Sequence, residues 1–564
     1  MFRQDIKNLA YICAAAGMQR AVIAPGSRNT PLTLAFTAQD GIECYPMTDE
    51  RSAGFFALGM AQYSDQPVAL ICTSGSAVLN FAPAVVEAYY QHLPLIVITA
   101  DRPSAWIDQA DGQTIRQQNI FGNYIKASFQ LPSDQSTDNT LYSDRIVAQA
   151  IDMAMQFPRG PVHLNVPLDE PLYHPLPESH SSPRVIRTLG TDVLPDNSTS
   201  AQFLQSWKKN SRRMILVGIG KGDSELNELL NTLARDSETI VIAENLTNIS
   251  GDHIITTPDL FFGSLTEDEK QELHPELLIT IGHSLISKQL KQYLRKYQPK
   301  EQWQLQSDLP YADTYQCLNY IVPVKAFQLM KLLTDSPKHV QIKADYNDKS
   351  DSFRRLSREI HLRSNTRAGE YFKSLPHCDI AVIRDLLPLI PTGAVLQIAN
   401  STPIRIAQLF ESRADLKYFC NRGTSGIEGS VSTAAGSALV SGKETILIAG
   451  DLSFLYDSNG MWNKNLPSNL KIVVINNGGA NIFRIIGDQE LIKDSQSFFD
   501  ADHQVNMALL ISAYGLKHRR CTEASHLPLM MHNFIHEQGP SVLEVITDMD
   551  INVQTYKELF KRIK

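Results

Sequence analysis

Two rhythms of hydrophobic and polar positions divide this chain. Short unbroken apolar runs such as VALIC, LIVITA, MILV, LLITI, TILIAG and IVVI each stop at a corner rich in Gly, Pro, Asn or Asp. Between them lie longer stretches with apolar residues at helical spacing, such as ERSAGFFALGMAQ and SELNELLNTLA. An unbroken apolar run predicts a strand buried on both faces, and strands alternating with helices predict a parallel sheet with helices on each side. The opening stretch MFRQDIKNLAYICAAAG has helical spacing interrupted by Arg3, Asp5 and Lys7, so it predicts an amphipathic helix and not a secretory signal.

The rhythm is interrupted twice by polar stretches. ESHSSPRVIRTLGTDVLPDNSTS, from Glu178 to Ser200, and TDSPKHVQIKADYNDKSDS, from Thr334 to Ser352, predict exposed linkers. The chain is thereby expected to be α/β, with three doubly wound parallel-sheet domains over 1–178, 200–335 and 350–564. Within the middle block, Gly218, Gly220 and Gly222 give GxGxG and not GxGxxG, which favours a structural turn over a dinucleotide site.

The most informative corners close TILIAG and IVVI. The first is Gly450-Asp451 and the second is Asn476-Asn477-Gly478-Gly479. Two strand ends joined by a crossover form a crevice at the carboxyl edge of a parallel sheet, where such sheets bind ligands. An Asp carboxylate, an Asn amide oxygen and a backbone carbonyl are three hard oxygen ligands suited to Mg²⁺ with a diphosphate. The competing reading is that both corners are ordinary turns.

Composition narrows the function classes. Hydrophobic residues at 43% and charged residues at 20% of 564 describe a soluble globular chain, and the net charge of -8 with no basic tract argues against nucleic-acid binding. Seven scattered cysteines, never in a CxxC pair, indicate neither a disulfide framework nor a zinc knuckle and fit a reducing cytoplasm. No apolar run reaches the ~20 residues of a membrane span.

The segments IAPGSRNTPLTLAF, DERSAGFFALGMA, TSGSAVLNFAPAVVEA, LIVITADRP, GQTIRQQNIF and RGPVHLNVPLDEPLY resemble the MenD family, as do NRGTSGIEG and GDLSFLYDSNG. These are the 2-succinyl-5-enolpyruvyl-6-hydroxy-3-cyclohexene-1-carboxylate synthases of menaquinone biosynthesis. The resemblance implies a transferase with thiamine diphosphate and Mg²⁺ (or Mn²⁺) as cofactors, a pyrimidine-binding domain first and a diphosphate-binding domain last. Its substrates would be 2-oxoglutarate and isochorismate, and its implied assembly is a homodimer or homotetramer.

Carried over residue by residue, Glu50 matches the glutamate that binds the cofactor's pyrimidine ring and activates it. Ile427 matches the bulky residue beneath the bent cofactor, and Ser453 a further cofactor contact. Asp451 and Asn477, with the Gly479 carbonyl, match the metal ligands. Ser27, Arg28, Arg102, Gln113, Lys288, Ser401, Arg405 and Arg422 match substrate-binding positions. Arginines suit dicarboxylates because a guanidinium fork binds a carboxylate through two hydrogen bonds. Gly112, Ala480 and Asn481 depart from the family pattern. The alternatives are another thiamine diphosphate-dependent 2-oxoacid decarboxylase or carboligase, and a catalytically silent binding subunit of the same fold.

Overall fold

The computed structural model describes residues 3–134, 136–175, 183–189, 193–305, 311–335, 353–486 and 493–564. Most of the stretch predicted as the second linker lies outside the described residues.

The first apolar block forms β1 (Arg20–Ile23), β2 (Glu43–Pro46), β3 (Val68–Cys72), β4 (Leu95–Asp101), β5 (Ser128–Gln130) and β6 (Val162–Pro167). The second forms β7 (Arg213–Val217), β8 (Thr239–Ala243), β9 (Ile254–Ile255), β10 (Leu277–Ile281), β11 (Glu301–Leu305) and β12 (Leu318–Val322). The third forms β13 (Val395–Ile398), β14 (Lys417–Phe419), β15 (Thr445–Gly450), β16 (Leu470–Asn476), β17 (Lys517–Cys521) and β18 (Ser541–Ile546). All the pairings are parallel, so the α/β expectation of three parallel sheets holds. Strands β3, β4, β7 and β8 are buried along their whole length, as unbroken apolar runs require.

Sheet order decides where a ligand can sit. The first sheet runs β2-β1-β3-β4-β6-β5, and the third repeats that order as β14-β13-β15-β16-β18-β17. In both, the chain reverses direction across the sheet between its first and third strands, so each has a crevice at the carboxyl ends of that pair. The middle sheet runs β12-β11-β10-β7-β8-β9, the dinucleotide-fold order, with its crevice between β7 and β10.

The first and third units meet through two helices, Glu50–Ser64 and Ser430–Ser441. Small residues allow this approach: a Cβ on Gly59 would lie 2.0 Å from the Thr433 carbonyl oxygen, and one on Gly436 would lie 2.0 Å from that of Phe56. The sequence pattern differs from the structure in one place. The helix Asn197–Lys209 starts inside the stretch predicted as the first linker, because the Asp196 side chain accepts from Thr199 N and caps it. The crossover between β15 and β16 contains only a six-residue helix, Asp451–Tyr456, and a 3₁₀ turn, Ser458–Met461.

Of the GxGxG glycines, Gly218 is pressed against the His283 carbonyl, which an added Cβ would meet at 1.7 Å. Gly222 has φ +73° and packs on Asn248. Packing thus accounts for these two as turn residues. No helix among the described residues is long and apolar enough to cross a membrane.

Candidate functional site

At the third sheet's crevice, β13 ends at Asn400-Ser401 and β15 at Gly450-Asp451, with the end of β16 alongside at Asn476-Asn477. Asp451 is buried, with Oδ1 accepting from Leu452 N at 2.7 Å and Oδ2 from Gly478 N at 2.8 Å. The two amides of the corner have different surroundings. Asn476 Nδ2 donates to Glu544 at 2.7 Å and its Oδ1 accepts from Gly478 N at 3.1 Å. Asn477 Nδ2 donates to Asp379 at 3.2 Å, and its Oδ1 is buried with no partner. A buried amide oxygen without a donor is costly unless a ligand meets it. Gly478, at φ +83°, makes the turn that carries the chain to Gly479.

Asp379 is buried, and burial pushes its carboxyl up to about 6 against hydrogen bonds from Thr547 and Asn477. His503 stands 3.3 Å from Asp451 Oδ2, and that carboxylate raises its pKa. Ser453 Oγ donates to the Ile427 carbonyl at 2.7 Å and touches Ser430 Oγ at 2.9 Å, tying the Ile427 turn to the Asp451 helix. Asn481 is buried with both amide atoms unpartnered. A cavity of about 430 Å³ opens beside Asn476, Asn477 and His503.

At the first sheet's crevice, β1 leads into Gly26-Ser27-Arg28 and β3 into Thr73-Ser74-Gly75. Glu50 opens the helix Glu50–Ser64, whose cap is Asp49, accepting from Ser52 N at 3.0 Å. Its neighbours dock onto the third unit: Asp49 accepts from Asn459 Nδ2 at 2.7 Å, and Arg51 donates to the Tyr456 carbonyl at 2.8 Å. At the end of β3, burial, with the Glu50 charge adding to it, holds the Cys72 thiol well above its usual range. Among the described residues, no hydrogen bond or ion pair joins Glu50 to Asp451, Ser453 or Asn477.

Arg28 is buried, donates to the Leu168 carbonyl at 2.9 Å and pairs with Glu170 at 3.0 Å. Burial and then the nearby Arg102 charge lower its pKa. Arg102 pairs with Asp111 at 3.0 Å, and its Nε is buried without a partner. Ser27 and Gln113 are exposed, Gln113 at φ +56°.

On the third unit, Ser401 precedes the helix Thr402–Ala407 at φ +74° and its side chain makes no capping bond; its carbonyl accepts from Arg405 Nη1 at 2.9 Å. Arg422 Nη1 donates to Asn400 Oδ1 at 3.2 Å, while its Nε is buried and unpartnered. Burial, then Arg422, lowers the pKa of Arg405. Among the described residues neither Arg405 nor Arg422 has a carboxylate within ion-pair distance. Lys288 is exposed at the first position of the helix Lys288–Lys296.

Residues 7–123 match the thiamine pyrophosphate enzyme, N-terminal TPP binding domain, and residues 401–545 match the thiamine pyrophosphate enzyme, C-terminal TPP binding domain. A 2-succinyl-5-enolpyruvyl-6-hydroxy-3-cyclohexene-1-carboxylate synthase of Flavobacterium psychrophilum is 37% identical over 557 residues, covering 99% of this chain and 98% of its own. The synthase of that name from Desulfotalea psychrophila is 39% identical over 556 residues, covering 97% and 98%. One from Bacteroides thetaiotaomicron is 33% identical over 572 residues, covering 100% and 99%. The chain belongs to this synthase family.

The cofactor of thiamine pyrophosphate enzymes fits the residues present. The Asp451 carboxylate and the orphaned Asn477 oxygen are the hard donors a divalent cation takes, and the turn at Gly478 and Gly479 leaves backbone at the same corner. No group of three or more His, Cys, Asp or Glu side chains among the described residues could hold a metal in another way. Sequence reasoning missed two supports of the candidate site. Glu87 is buried in the helix Ala82–Gln91 and accepts from Gly423 N, Thr424 N and Thr424 Oγ1 at 2.6–2.7 Å, holding the loop that carries Arg422. Asp379 holds the Asn477 amide. The only signal for Glu87 was an acid inside an apolar helical run, AVVEAYY.

Proposed function

We propose that this chain is a thiamine diphosphate-dependent transferase that decarboxylates 2-oxoglutarate and joins the remaining carbons to isochorismate. The products would be CO₂ and 2-succinyl-5-enolpyruvyl-6-hydroxy-3-cyclohexene-1-carboxylate, a step of menaquinone biosynthesis. The observation that carries this is one sheet edge. An oxygen-donor corner, Asp451 with the unpartnered Asn477 oxygen, shares the carboxyl edge of the third sheet with the strand ends that lead to Arg405 and Arg422, which have no carboxylate within ion-pair distance among the described residues.

Asp451, Asn477 and the Gly479 carbonyl would hold Mg²⁺ or Mn²⁺, and Ser453 and Ile427 would pack against the cofactor. When bound, thiamine diphosphate supplies the carbon nucleophile and the electron sink that decarboxylation needs. Glu50 would bind the pyrimidine and hold the proton on its ring nitrogen, a task suited to a carboxylate at a helix start. Ser27, Arg28, Arg102, Gln113, Lys288, Ser401, Arg405 and Arg422 would orient the two dicarboxylates. Arg28 and Arg102 have carboxylate partners of their own, Glu170 and Asp111, which fix the guanidinium planes.

The domains would divide as 1–178 for the pyrimidine, 200–335 in the centre and 350–564 for the diphosphate. Asp49 and Arg51 bind the third unit of their own chain, while among the described residues no hydrogen bond or ion pair ties Glu50 to that chain's Asp451 corner, and this supports a homodimer or larger homo-oligomer in which a second copy completes each site. Seven unpaired cysteines, all free thiols, support a cytoplasmic location. The test is direct. With 2-oxoglutarate, isochorismate, thiamine diphosphate and Mg²⁺, the purified protein should consume isochorismate and release CO₂, and Glu50→Gln should lower kcat by about 10²–10⁴-fold. Turnover of 2-oxoglutarate indifferent to isochorismate would point instead to a simple decarboxylase, and full activity in Glu50→Gln would remove that residue's role.

A further inference from the structure

The helix Lys288–Lys296, KQLKQYLRK, buries Leu290, Tyr293 and Leu294 and leaves Lys288 exposed. Lys291, on the next turn, is half-buried. A lysine taken partly out of water is costly unless something negative meets it. The start of this helix is firmly built. Ser287 caps it, accepting from Leu290 N at 3.1 Å and donating to the buried Asp259, while buried Glu244 accepts from Ile286 N and Ser287 N at 2.6 Å each.

This turn of the middle unit is docked on the helix that carries Arg405. Leu246, Leu260 and Ile286 share one hydrophobic cluster with Ile404, Ile406 and Ala407, and Asn245 Oδ1 accepts from Gln408 Nε2. Through this docking the Lys291 ammonium comes within electrostatic reach of Arg405 and Arg422. Burial lowers the pKa of Lys291, Glu244 opposes the shift, and the charges of Arg422, Arg295 and Arg405 add to it. Among the described residues, none of Lys291, Arg405 and Arg422 has a carboxylate within ion-pair distance. The two acids nearby are committed elsewhere: Glu244 to two backbone N–H groups, with burial pushing its carboxyl up to about 7, and Asp259 to Ser287. These like charges have no anion within ion-pair distance among the described residues, and a buried guanidinium Nε of Arg422 is unpartnered.

We propose that Lys291 is a further substrate-binding residue, whose ammonium completes with Arg405 and Arg422 a three-cation cradle for a carboxylate group of one substrate. This rests on the reading that Arg405 and Arg422 face substrate. The carboxylate belongs to 2-oxoglutarate or to isochorismate, and KM values measured separately for each distinguish the two.

The holoenzyme carrying Lys291→Met, which keeps the aliphatic stem, is compared with Lys291→Arg and with Arg405→Met. A lost charge-assisted contact should raise KM for one substrate about tenfold in Lys291→Met, with kcat and melting temperature near the parent values. Lys291→Arg should recover most of the loss. If Arg405→Met raises a KM while Lys291→Met raises none, or lowers only kcat and melting temperature, Lys291 is structural and the proposal falls. If neither variant moves either KM, the arginine site itself is misassigned and the proposal falls with it.

Discussion

Single residues in this protein acquire chemistry from what their neighbours leave unsatisfied. Asn476 and Asn477 are adjacent and identical in type, yet Glu544 and the Gly478 N–H occupy the first amide while the second keeps an unpaired oxygen. Arg28 and Arg102 have carboxylates to fix them, whereas among the described residues Arg405 and Arg422 have none within ion-pair distance. A buried titratable group also ties stability to pH. His163 sits fully buried in β6, with Nε2 against Thr99 Oγ1 at 2.7 Å, and burial lowers its pKa from 6.5 to about 3. The unfolded chain takes up a proton as pH falls through 6.5, and the folded chain resists until about 3. Stability is therefore present above the unfolded value and is lost as pH falls across that window. Urea midpoints should show a smaller acid-side loss in His163→Gln than in the parent; equal losses would mean that His163 does not contribute.

At the scale of elements, the contact between the helices Glu50–Ser64 and Ser430–Ser441 sets the spacing of two crevices. It depends on the absence of side chains where each helix backbone passes the other. Gly436→Ala would put a Cβ 2.0 Å from the Phe56 carbonyl oxygen, which is backbone and cannot rotate aside. Overpacking of this kind typically costs about 1–3 kcal/mol. Denaturant unfolding of Gly436→Ala should show at least that loss together with reduced activity, since Glu50 is on the displaced helix. An unchanged midpoint would show that the helices separate without penalty. The loop of Arg422 has a comparable support, since Glu87 reaches across from the first unit to hold it.

For the whole molecule, the question is whether Glu50 and Asp451 of one chain serve the same site. Asp49 and Arg51 bind their own third unit, and Glu50 between them lies beside Cys72. In a two-fold dimer with sites shared between chains, mixing inactive Glu50→Gln with inactive Asp451→Asn produces heterodimers with one intact site. Random reassociation should then restore about a quarter of parental activity, because half the dimers carry one good site of two. Mixtures that stay inactive after subunit exchange would place the whole site within one chain.

Much of this architecture was legible along the chain. Unbroken apolar runs marked the buried parallel strands, and the Gly-Asp and Asn-Asn-Gly-Gly corners marked the strand ends where ligand chemistry gathers, because periodicity and turn formation are local properties. Glu50, Arg28, Arg405 and Arg422 are site candidates through the family resemblance of the motifs at such corners. The ends of the first linker could not be read as closely, since a single capping aspartate, Asp196, outweighed a polar composition. Glu87, Asp379 and Lys291 carried almost no signal, because what each acts on is far away in sequence: Glu87 holds Gly423, Asp379 holds Asn477, and Lys291 feels the charge of Arg405. The sequence by itself determined three parallel sheets and the residue types at their edges. Only the tertiary structure decided, among the described residues, which amide oxygen stays unpaired and which cations have no carboxylate within reach, because hydrogen-bond satisfaction and charge balance are settled by packing between units and not by spacing along the chain.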